Sequence, residues 1–288
     1  MKIKAYAKIN LTLDVTGKRA DGYHLLQMVM QTIDLADDVS VELAGEGIAL
    51  TCNLPYVPVT EKNIAYRAAV RFLEATGIHS GVRIHLEKRI PVAAGLAGGS
   101  TDAGAVLTAL NGLTGHPLTQ EKLLELGLSL GADVPFTMTG GTALCEGVGE
   151  IITPLPDFCN HWVLLVKPPF GVSTRQVFTD FRLDRVRRHP ATQAVQAAIA
   201  ADDLAGVARH LGNVLENVTL TRHPLLRNLK TELIRRGALG SLMSGSGPTV
   251  FGLFDSEAAA RDAYVWFHGK YPETFLVQTL GRQAVANG

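Results

Sequence analysis

The 288-residue sequence predicts an α+β protein built in two parts. Apolar and polar residues alternate strictly from Ile3 to Val15, which is the period of a half-buried strand. Apolar residues recur at helical spacing over residues 64–73, 103–110 and 118–130. After Pro154 the predicted order is strand, helices, two strands, helix and strand, which fits helices on one face of an antiparallel sheet. We therefore predict an N-terminal domain over residues 1–155 and a C-terminal domain over residues 156–288.

Composition and charge argue against several classes of protein. Hydrophobic residues at 47% and charged residues at 19% are typical of a globular protein. Basic and acidic residues balance at 27 each, so no net positive field attracts nucleic acid or an anionic membrane. Cys52, Cys145 and Cys159 have no metal-binding spacing, and sparse unpaired thiols are typical of a reducing compartment. No apolar run has the length of a signal peptide or membrane span. We expect a cytoplasmic protein with neither a nucleic-acid nor a membrane partner.

Lys8 and Asn10 lie on the polar face of the first predicted strand. On pattern alone, this face is exposed to solvent. Further along, the sequence predicts short strands at Val39–Leu43 and Ile48–Cys52, arranged as a meander.

A turn follows the first strand at residues 17–24, GKRADGYH, where Asp21-Gly22 is a hairpin signal. A second extended run follows from Leu25 to Leu35. Tyr23 and His24 lie at the exit of the turn, and their default interpretation is a partly exposed aromatic and an ordinary histidine.

A glycine-rich loop from Pro91 to Thr101 lies between an alternating strand and a helical pattern. Its glycines permit unusual backbone angles and close approach of the backbone to a ligand. Such a loop directs N–H donors and the positive end of a helix dipole at one point, a geometry that binds phosphate. The sequence predicts Gly98 to reject a side chain because the backbone approaches a nucleotide there. An ordinary strand-to-helix turn remains the alternative.

Two flanking residues have open interpretations. Asn63 precedes the helix that starts at Ile64 and ends at Gly77, so it is most simply an N-cap. Lys88, just before the loop, is either exposed to solvent or in contact with the nucleotide.

Asp133 is a candidate acid–base residue. It follows a predicted helix from Leu118 to Leu130 and has apolar neighbours on both sides. With Pro135 in the next turn, Asp133 fits a helix N-cap. It also fits a general base, since the two roles use different lone pairs. Two strands, Thr142–Glu146 and Glu150–Thr153, complete the first domain.

The second domain carries weaker signals. Phe178, in a helical pattern over 172–181, fits core packing. The arginine-rich segment 182–188 fits a solvated linker because it also contains Asp184. The remaining predicted elements are the strand Trp162–Val166, two alanine-rich helices, the helix Leu225–Arg236, a strand, glycine turn and strand over 242–251, the helix Ser256–His268 and the strand Thr274–Leu280.

The loop P-x-x-x-G-L-A-G-G-S-T resembles the phosphate loop of the GHMP kinases, the superfamily of galactokinase, homoserine kinase and mevalonate kinase. A-K-I-N near the N-terminus, G-A-D-V-P at 131–135 and the glycine turn at 242–251 resemble further motifs of that family in the same order. Ala97 and Gly104 depart from common family residues, but both keep the backbone N–H that phosphate needs. The resemblance implies an N-terminal domain like ribosomal protein S5 domain 2 and a ferredoxin-like α/β sandwich at the C-terminus.

The resemblance also implies phosphoryl transfer from ATP, with Mg²⁺, to an alcohol. Lys8 and Asp133 are then catalytic, with Asp133 as general base and Lys8 stabilising the alkoxide and the phosphoryl oxygens. Ser100 and Thr101 hydroxyls are then near the Mg²⁺, although no metal ligand is legible. The implied nucleotide-binding residues are Asn63, Lys88, Pro91, Val92, Ala93, Ala94, Gly95, Leu96, Ala97, Gly98, Gly99, Ser100 and Thr101.

R-A-D-G-Y-H resembles a feature of one branch of the GHMP kinases. That branch phosphorylates the 2-hydroxyl of a cytidine-diphosphate-linked methylerythritol in non-mevalonate isoprenoid synthesis. The resemblance implies that Tyr23 stacks on cytosine, that His24 reads the base edge, and that Asn10 lines the substrate site. Phe178 is then a second aromatic wall.

Two alternatives remain. A homoserine- or mevalonate-type kinase lacks the R-A-D-G-Y-H stretch, which argues against it. A non-catalytic nucleotide sensor needs no pair such as Lys8 and Asp133, so the presence of both residues argues against a sensor.

Overall fold

The computed structural model describes residues 1–20 and 22–286, so Asp21 of the predicted hairpin signal lies outside the described residues. The strands are β1 Lys2–Lys18, β2 His24–Leu43, β3 Ile48–Cys52, β4 Val82–Glu87, β5 Thr142–Gly147, β6 Ile151–Pro154, β7 Trp162–Val166, β8 Gly212–Asn213, β9 Gly240–Met243, β10 Val250–Phe254 and β11 Thr274–Gln278. The helices are α1 Ile64–Thr76, α2 Gly98–Leu113, α3 Gln120–Leu130, α4 Val134–Thr139, α5 Thr174–Asp180, α6 Thr192–Ala200, α7 Leu204–His210, α8 Glu216–Arg222, α9 Leu225–Arg235, α10 Glu257–His268 and α11 Arg282–Ala286. A short 3₁₀ turn spans Leu183–Arg185 in the exposed segment predicted as a linker.

The larger sheet has the strand order β3-β4-β2-β1-β8, with β5 also paired to β2 and β6 to β5. The predicted meander is wrong on two counts. Val39–Leu43 is the far end of β2 and pairs antiparallel with β4, while β3 pairs with β4 in parallel. The reason is the length of β2, which continues for 20 residues because one end pairs with β5 and the other with β4.

The exposed face predicted for the first strand is also wrong. Lys8 and Asn10 are only 4% and 0% exposed. The glycine-rich loop packs directly on this strand, and the Lys8 backbone N–H donates to the Leu96 carbonyl at 3.2 Å. Alternation with a period of two predicts which face of a strand is polar. It does not predict that a loop from distant residues covers that face.

The smaller sheet, in the order β11-β7-β10-β9, is antiparallel throughout, as predicted. Core residues from both sides of Pro154 share the same hydrophobic clusters, one of which contains Leu13 and Leu164 and another Ile9 and Val163. The strand β8 pairs in parallel with β1, so the second half of the chain also contributes to the larger sheet. The domain boundary between residues 155 and 156 stays a prediction.

None of the helices in the described part of the chain combines the length and apolar character needed to cross a membrane.

Candidate active site

The sequence-predicted site residues lie together, with one exception. They line a single cleft of about 1400 Å³, which contains Lys8, Asn10, Tyr23, His24, Asn63, Lys88, Pro91, Val92, Ala93, Ala94, Gly95, Leu96, Ala97, Gly98, Gly99, Ser100, Asp133 and Phe178. The exception is Thr101, whose side chain is 2% exposed and whose hydroxyl donates to the Tyr6 carbonyl at 2.8 Å. A hydroxyl held inside the protein by a backbone acceptor does not reach a metal or phosphate in the cleft. Thr101 therefore anchors α2 to β1.

The glycine-rich loop ends where α2 begins, so its free N–H groups face the cleft. Gly95 has a φ of +78°, and a Cβ there would lie 2.2 Å from the Ser244 carbonyl oxygen. The loop thus packs backbone to backbone against residues 244–247 of the glycine turn that the sequence analysis identified at 242–251. Ser244 reinforces this contact by donating its hydroxyl to the Gly95 carbonyl at 3.0 Å.

Two neighbouring glycines at the start of α2 have different surroundings. A Cβ on Gly98 would lie 2.9 Å from Ile90 Cγ2, so the expected intolerance there comes from protein packing. A Cβ on the exposed Gly99 would meet only Ile64 Cγ2, at 3.4 Å, and otherwise open space. Gly99 is therefore the position at which an added side chain enters the cleft.

Lys8 contacts the other catalytic candidates. Its ammonium donates to Asn10 Oδ1 at 2.6 Å and to the Gly95 carbonyl at 3.3 Å, and it lies 3.8 Å from Asp133 Oδ2. The Asn10 amide in turn contacts Met28 Sδ at 3.5 Å, which fixes its oxygen toward Lys8. One cation thereby connects the carboxylate to the glycine-rich loop.

Asp133 occupies the N-cap position of α4 without capping it by its side chain. Its φ and ψ of −80° and −16° are helical, whereas a side-chain cap needs an extended residue. The predicted N-cap position is correct, but the side-chain capping role is wrong, and the carboxylate is directed to Lys8 instead. Its side chain is 34% exposed, so it can meet a ligand in the cleft.

An aromatic group lies at the far end of the cleft. The His24 ring is 5.3 Å from Phe178 and 5.8 Å from Phe181 between centroids, and Tyr23 is 66% exposed beside it. Burial, and then the charge of Lys18, lower the pKa of His24 below its usual value. The imidazole is therefore neutral at pH 7, with one nitrogen donating and the other accepting. Phe178 is half-buried and shared between the core and this pocket.

Asn63 and Lys88 both have structural partners. Asn63 caps α1, because its side-chain oxygen accepts from the Ala65 N–H at 2.9 Å. Lys88 is 8% exposed, so the interpretation as a solvated lysine is wrong. Its ammonium is held by two buried carboxylates, Asp37 and Asp102.

Sequence reasoning missed several residues of the cleft. Thr174 shares a hydrogen bond of 2.8 Å with Ser246, which joins α5 to the glycine turn. Arg175 and Tyr56 line the cleft from loops and helix ends that carried no signal. Only Ser246 lay within a motif, so the others needed the tertiary structure.

Two family descriptions match the chain. "GHMP kinases N terminal domain" matches residues 63–141, and "GHMP kinases C terminal" matches residues 195–270.

Curated relatives match over nearly the whole length. The 4-diphosphocytidyl-2-C-methyl-D-erythritol kinase of Clostridium botulinum (strain Eklund 17B / Type B) is 52% identical over 280 residues, which are 97% of this chain and 100% of that protein. The enzyme of the same name from a Clostridium perfringens Type A strain is 49% identical over 283 residues, 97% of this chain and 98% of that one.

Among solved structures, a 4-(cytidine 5'-diphospho)-2C-methyl-D-erythritol kinase superposes with a TM-score of 0.84 at 35% identity, covering 98% of this chain and 100% of that chain. Homoserine kinase from Cytophaga hutchinsonii gives a TM-score of 0.75 at 21% identity over 98% of this chain and 95% of that chain, a likeness of fold alone. With half its residues shared with curated relatives along almost its entire length, the chain belongs to the GHMP kinase family, within the branch of the 4-diphosphocytidyl-2-C-methyl-D-erythritol kinases.

Proposed function

We propose that this protein transfers the terminal phosphoryl group of ATP to the 2-hydroxyl of 4-diphosphocytidyl-2-C-methyl-D-erythritol. The pathway is non-mevalonate isoprenoid precursor synthesis. The observation that carries the proposal is the Lys8–Asp133 pair, 3.8 Å apart, beside the glycine-rich start of α2. The curated relatives, which are 52% and 49% identical in sequence, are named for this activity.

In the proposed mechanism Asp133 accepts the proton of the substrate hydroxyl as the oxygen attacks the γ-phosphorus. The bond between that phosphorus and the β,γ-bridging oxygen breaks at the same time, and ADP is the leaving group. Lys8 stabilises negative charge on the attacking oxygen and on the transferred phosphoryl group. Phosphoryl transfer depends mainly on positioning and electrostatic stabilisation, so a fixed lysine is well suited to it. Asn10 and the Gly95 carbonyl hold the lysine ammonium at the required point.

The ATP phosphates bind at the N-terminus of α2, where backbone donors and the helix dipole favour anions. Mg²⁺ is bound mostly by phosphate oxygens and water, with few protein ligands, so it needs no dedicated metal cage. The Ser100 hydroxyl is a hard oxygen donor lining the cleft, and it would fit a Mg²⁺ bound mainly by the phosphates. When bound, the ion neutralises phosphate charge.

Cytosine recognition is assigned to Tyr23, His24 and Phe178. The base lies against the exposed Tyr23 ring, and the neutral His24 reads its donor–acceptor edge. We also propose that the enzyme acts in the cytoplasm, because sparse unpaired cysteines are typical of a reducing compartment.

We expect Tyr23→Ala to raise the KM for the cytidyl alcohol by roughly one to two decades. Stacking of a base on an aromatic ring contributes about 1–3 kcal/mol, and about 1.4 kcal/mol corresponds to one decade. The KM for ATP is expected to stay nearly constant because ATP binds at the other end of the cleft. Steady-state kinetics with each substrate varied in turn measure both constants.

The matched control is Tyr264→Ala, which removes a tyrosine that stacks on His268 of α10 and does not line the cleft. This control is expected to lower thermal stability without changing either KM. Free CDP is expected to compete with the alcohol and not with ATP. If CDP competed with ATP, or if Tyr23→Ala impaired only ATP binding, the assignment of the aromatic pocket to cytosine would be wrong. Parallel assays with homoserine and mevalonate separate the alternative kinases, and absence of turnover with all three alcohols supports a sensor.

We expect Gly99→Val to weaken ATP binding by about 10- to 100-fold, because the side chain enters the space where phosphates approach the helix. Loss of one hydrogen bond to a charged group costs about 1.5–3 kcal/mol. Calorimetric titration with ATP measures the effect, and a thermal melt checks that the variant is folded. Gly112→Val is the matched control, because it adds the same side chain at the other end of α2, where a Cβ would meet Met1 Sδ at 3.4 Å, and it is expected to leave ATP affinity unchanged. Unchanged ATP affinity in folded Gly99→Val would make the loop an ordinary turn.

A further inference from the structure

A cluster of three buried charged side chains lies beneath the glycine-rich loop, and the proposed catalytic step does not use it. Lys88 follows β4, Asp37 belongs to β2 and Asp102 to α2, and they are 8%, 0% and 3% exposed. The Lys88 ammonium donates to Asp37 Oδ2 and, at 2.5 Å, to Asp102 Oδ2. Burying three ionisable groups is unfavourable unless they pair with one another.

The cluster holds the loop at both ends. At the start, Asp37 Oδ1 accepts from the backbone N–H of Arg89 at 2.5 Å and of Ile90 at 2.8 Å. At the end, Lys88 Nζ donates to the Gly98 carbonyl at 3.2 Å, in the first turn of α2. The Asp37–Lys88 ion pair therefore fixes the separation of the two ends of the loop.

The two carboxylates have unequal surroundings. Asp37 accepts from Lys88 and from two backbone donors, so its charge is well stabilised. Asp102 Oδ1 is buried and has no hydrogen-bond donor among the described residues. One ammonium between two carboxylates leaves one excess negative charge. A proton on Asp102, the carboxylate with fewer donors, removes it.

The electrostatics agree with this assignment. Desolvation by burial raises the pKa of Asp102 to about 8, outweighing the attraction of Lys88, and repulsion from Asp37 adds to the rise. For Lys88 desolvation acts in the opposite sense, but the attraction of both carboxylates outweighs it and raises the pKa. The neighbouring Arg89 guanidinium pairs with Asp38 at 2.9 Å.

The charged groups that act on Asp102 are Lys88 and Asp37. The helix α1, which packs against α2, turns its buried apolar face inward with Ala65, Ala68, Ala69 and Phe72. The first turn of α2 is tied to β1 by the Thr101 hydroxyl and the Tyr6 carbonyl. Lys4 of β1 pairs with Asp38 at 2.7 Å.

We propose that Asp37 and Lys88 are positioning residues that hold the glycine-rich loop in its ATP-binding shape, with Asp102 as a neutral third member that retains a proton. The inference rests on the proposed function, in which this loop binds ATP. Preformed backbone donors bind phosphate more tightly, because no ordering cost is then paid on binding. Releasing either end of the loop removes that advantage.

The first test is Asp37→Asn. Its amide nitrogen would face the Lys88 ammonium, donor against donor, while the shape of the side chain is kept. We expect the Kd and KM for ATP to rise about 10- to 100-fold, as for loss of a hydrogen bond to a charged group, with a smaller change in kcat at saturating ATP.

The matched control is Glu273→Gln, which weakens the part-buried Lys167–Glu273 pair, neither member of which lines the cleft. It is expected to lower Tm and leave the KM for ATP unchanged. An Asp37→Asn variant with wild-type ATP affinity, or an equal rise in Glu273→Gln, overturns the proposal.

The second test is the pH dependence of Asp102→Asn, which keeps the shape of a neutral carboxyl group and is expected to fold. In the wild type, Asp102 is neutral below its raised pKa and ionises as the pH rises through about 8. The new negative charge beneath the loop repels phosphate, so the KM for ATP is expected to rise there. Asp102→Asn is expected to lack this rise. If the KM for ATP changed with pH in the same way in the wild type and in Asp102→Asn, the proposal would be overturned. This test holds even if Asp37→Asn does not fold.

The two proposals fail separately. ATP affinity is measured by calorimetry without any alcohol substrate, so the positioning role does not depend on which alcohol is phosphorylated. Wild-type protein that binds ATP but does not phosphorylate the diphosphocytidyl alcohol contradicts the proposed function alone. Wild-type phosphorylation with unaltered ATP affinity in Asp37→Asn contradicts the positioning role alone.

Discussion

The Asp133→Asn variant is expected to lose about 10²- to 10⁴-fold in kcat, the typical contribution of a general base. Asparagine keeps the shape of the side chain and removes the lone pair that accepts the proton. ATP binding is expected to persist, because the phosphates are bound by the start of α2 and Asp133 contacts Lys8 from the other side. Steady-state kinetics and a separate ATP titration measure the two quantities.

The control for this variant is Asp203→Asn. Asp203 is also a helix N-cap, and unlike Asp133 it caps by its side chain, which accepts from the Gly206 N–H at 2.9 Å. Asn is a good N-cap, so this change is expected to leave kcat and stability nearly unchanged. If Asp133→Asn kept more than half of the wild-type rate, the carboxylate would have no role as a base.

Much of the fold could be predicted because its signals are local. The alternation in β1, the glycine that ends α1 at Gly77 and the serine that caps α10 at Ser256 are each encoded within a few residues. The glycine-rich loop was predictable for the same reason, since strand, loop and helix are consecutive. Short parallel pairings such as β8 with β1 carry no such signal, because two residues cannot establish a period.

The site was predictable where motifs marked it and not where distant residues complete it. Sequence pattern assigned Lys8 to an exposed face, yet the loop around Leu96 covers it. Asp37 falls between two predicted strands and was not singled out, although it is 0% exposed and bonded to residues more than 50 positions away. Asp37 lies in β2, Lys88 directly after β4 and Asp102 in α2. No local sequence pattern links these three elements, so only the folded structure brings the three residues together.

Replacing Lys8 with methionine is expected to lower kcat by about 10²- to 10³-fold, as for loss of one preorganised donor to a developing negative charge. Methionine has a similar length and apolar stem, so it fills the buried site between Asn10 and the Gly95 carbonyl. Asp133 keeps solvent access at 34% exposure, so no charge is stranded in the interior and the variant is expected to fold.

Lys167→Met is the matched control for Lys8→Met, because it also removes a mostly buried lysine paired with a carboxylate, Glu273, and does not line the cleft. Both variants are expected to lose some stability in a thermal melt, but only Lys8→Met is expected to lose turnover. The KM for ATP is expected to change less than kcat in Lys8→Met, since Lys8 acts most strongly on charge that develops during transfer. A Lys8→Met variant with near-normal kcat and a raised KM for ATP would instead make Lys8 a binding residue, and the charge stabilisation would have to come from the bound metal and the helix N-terminus.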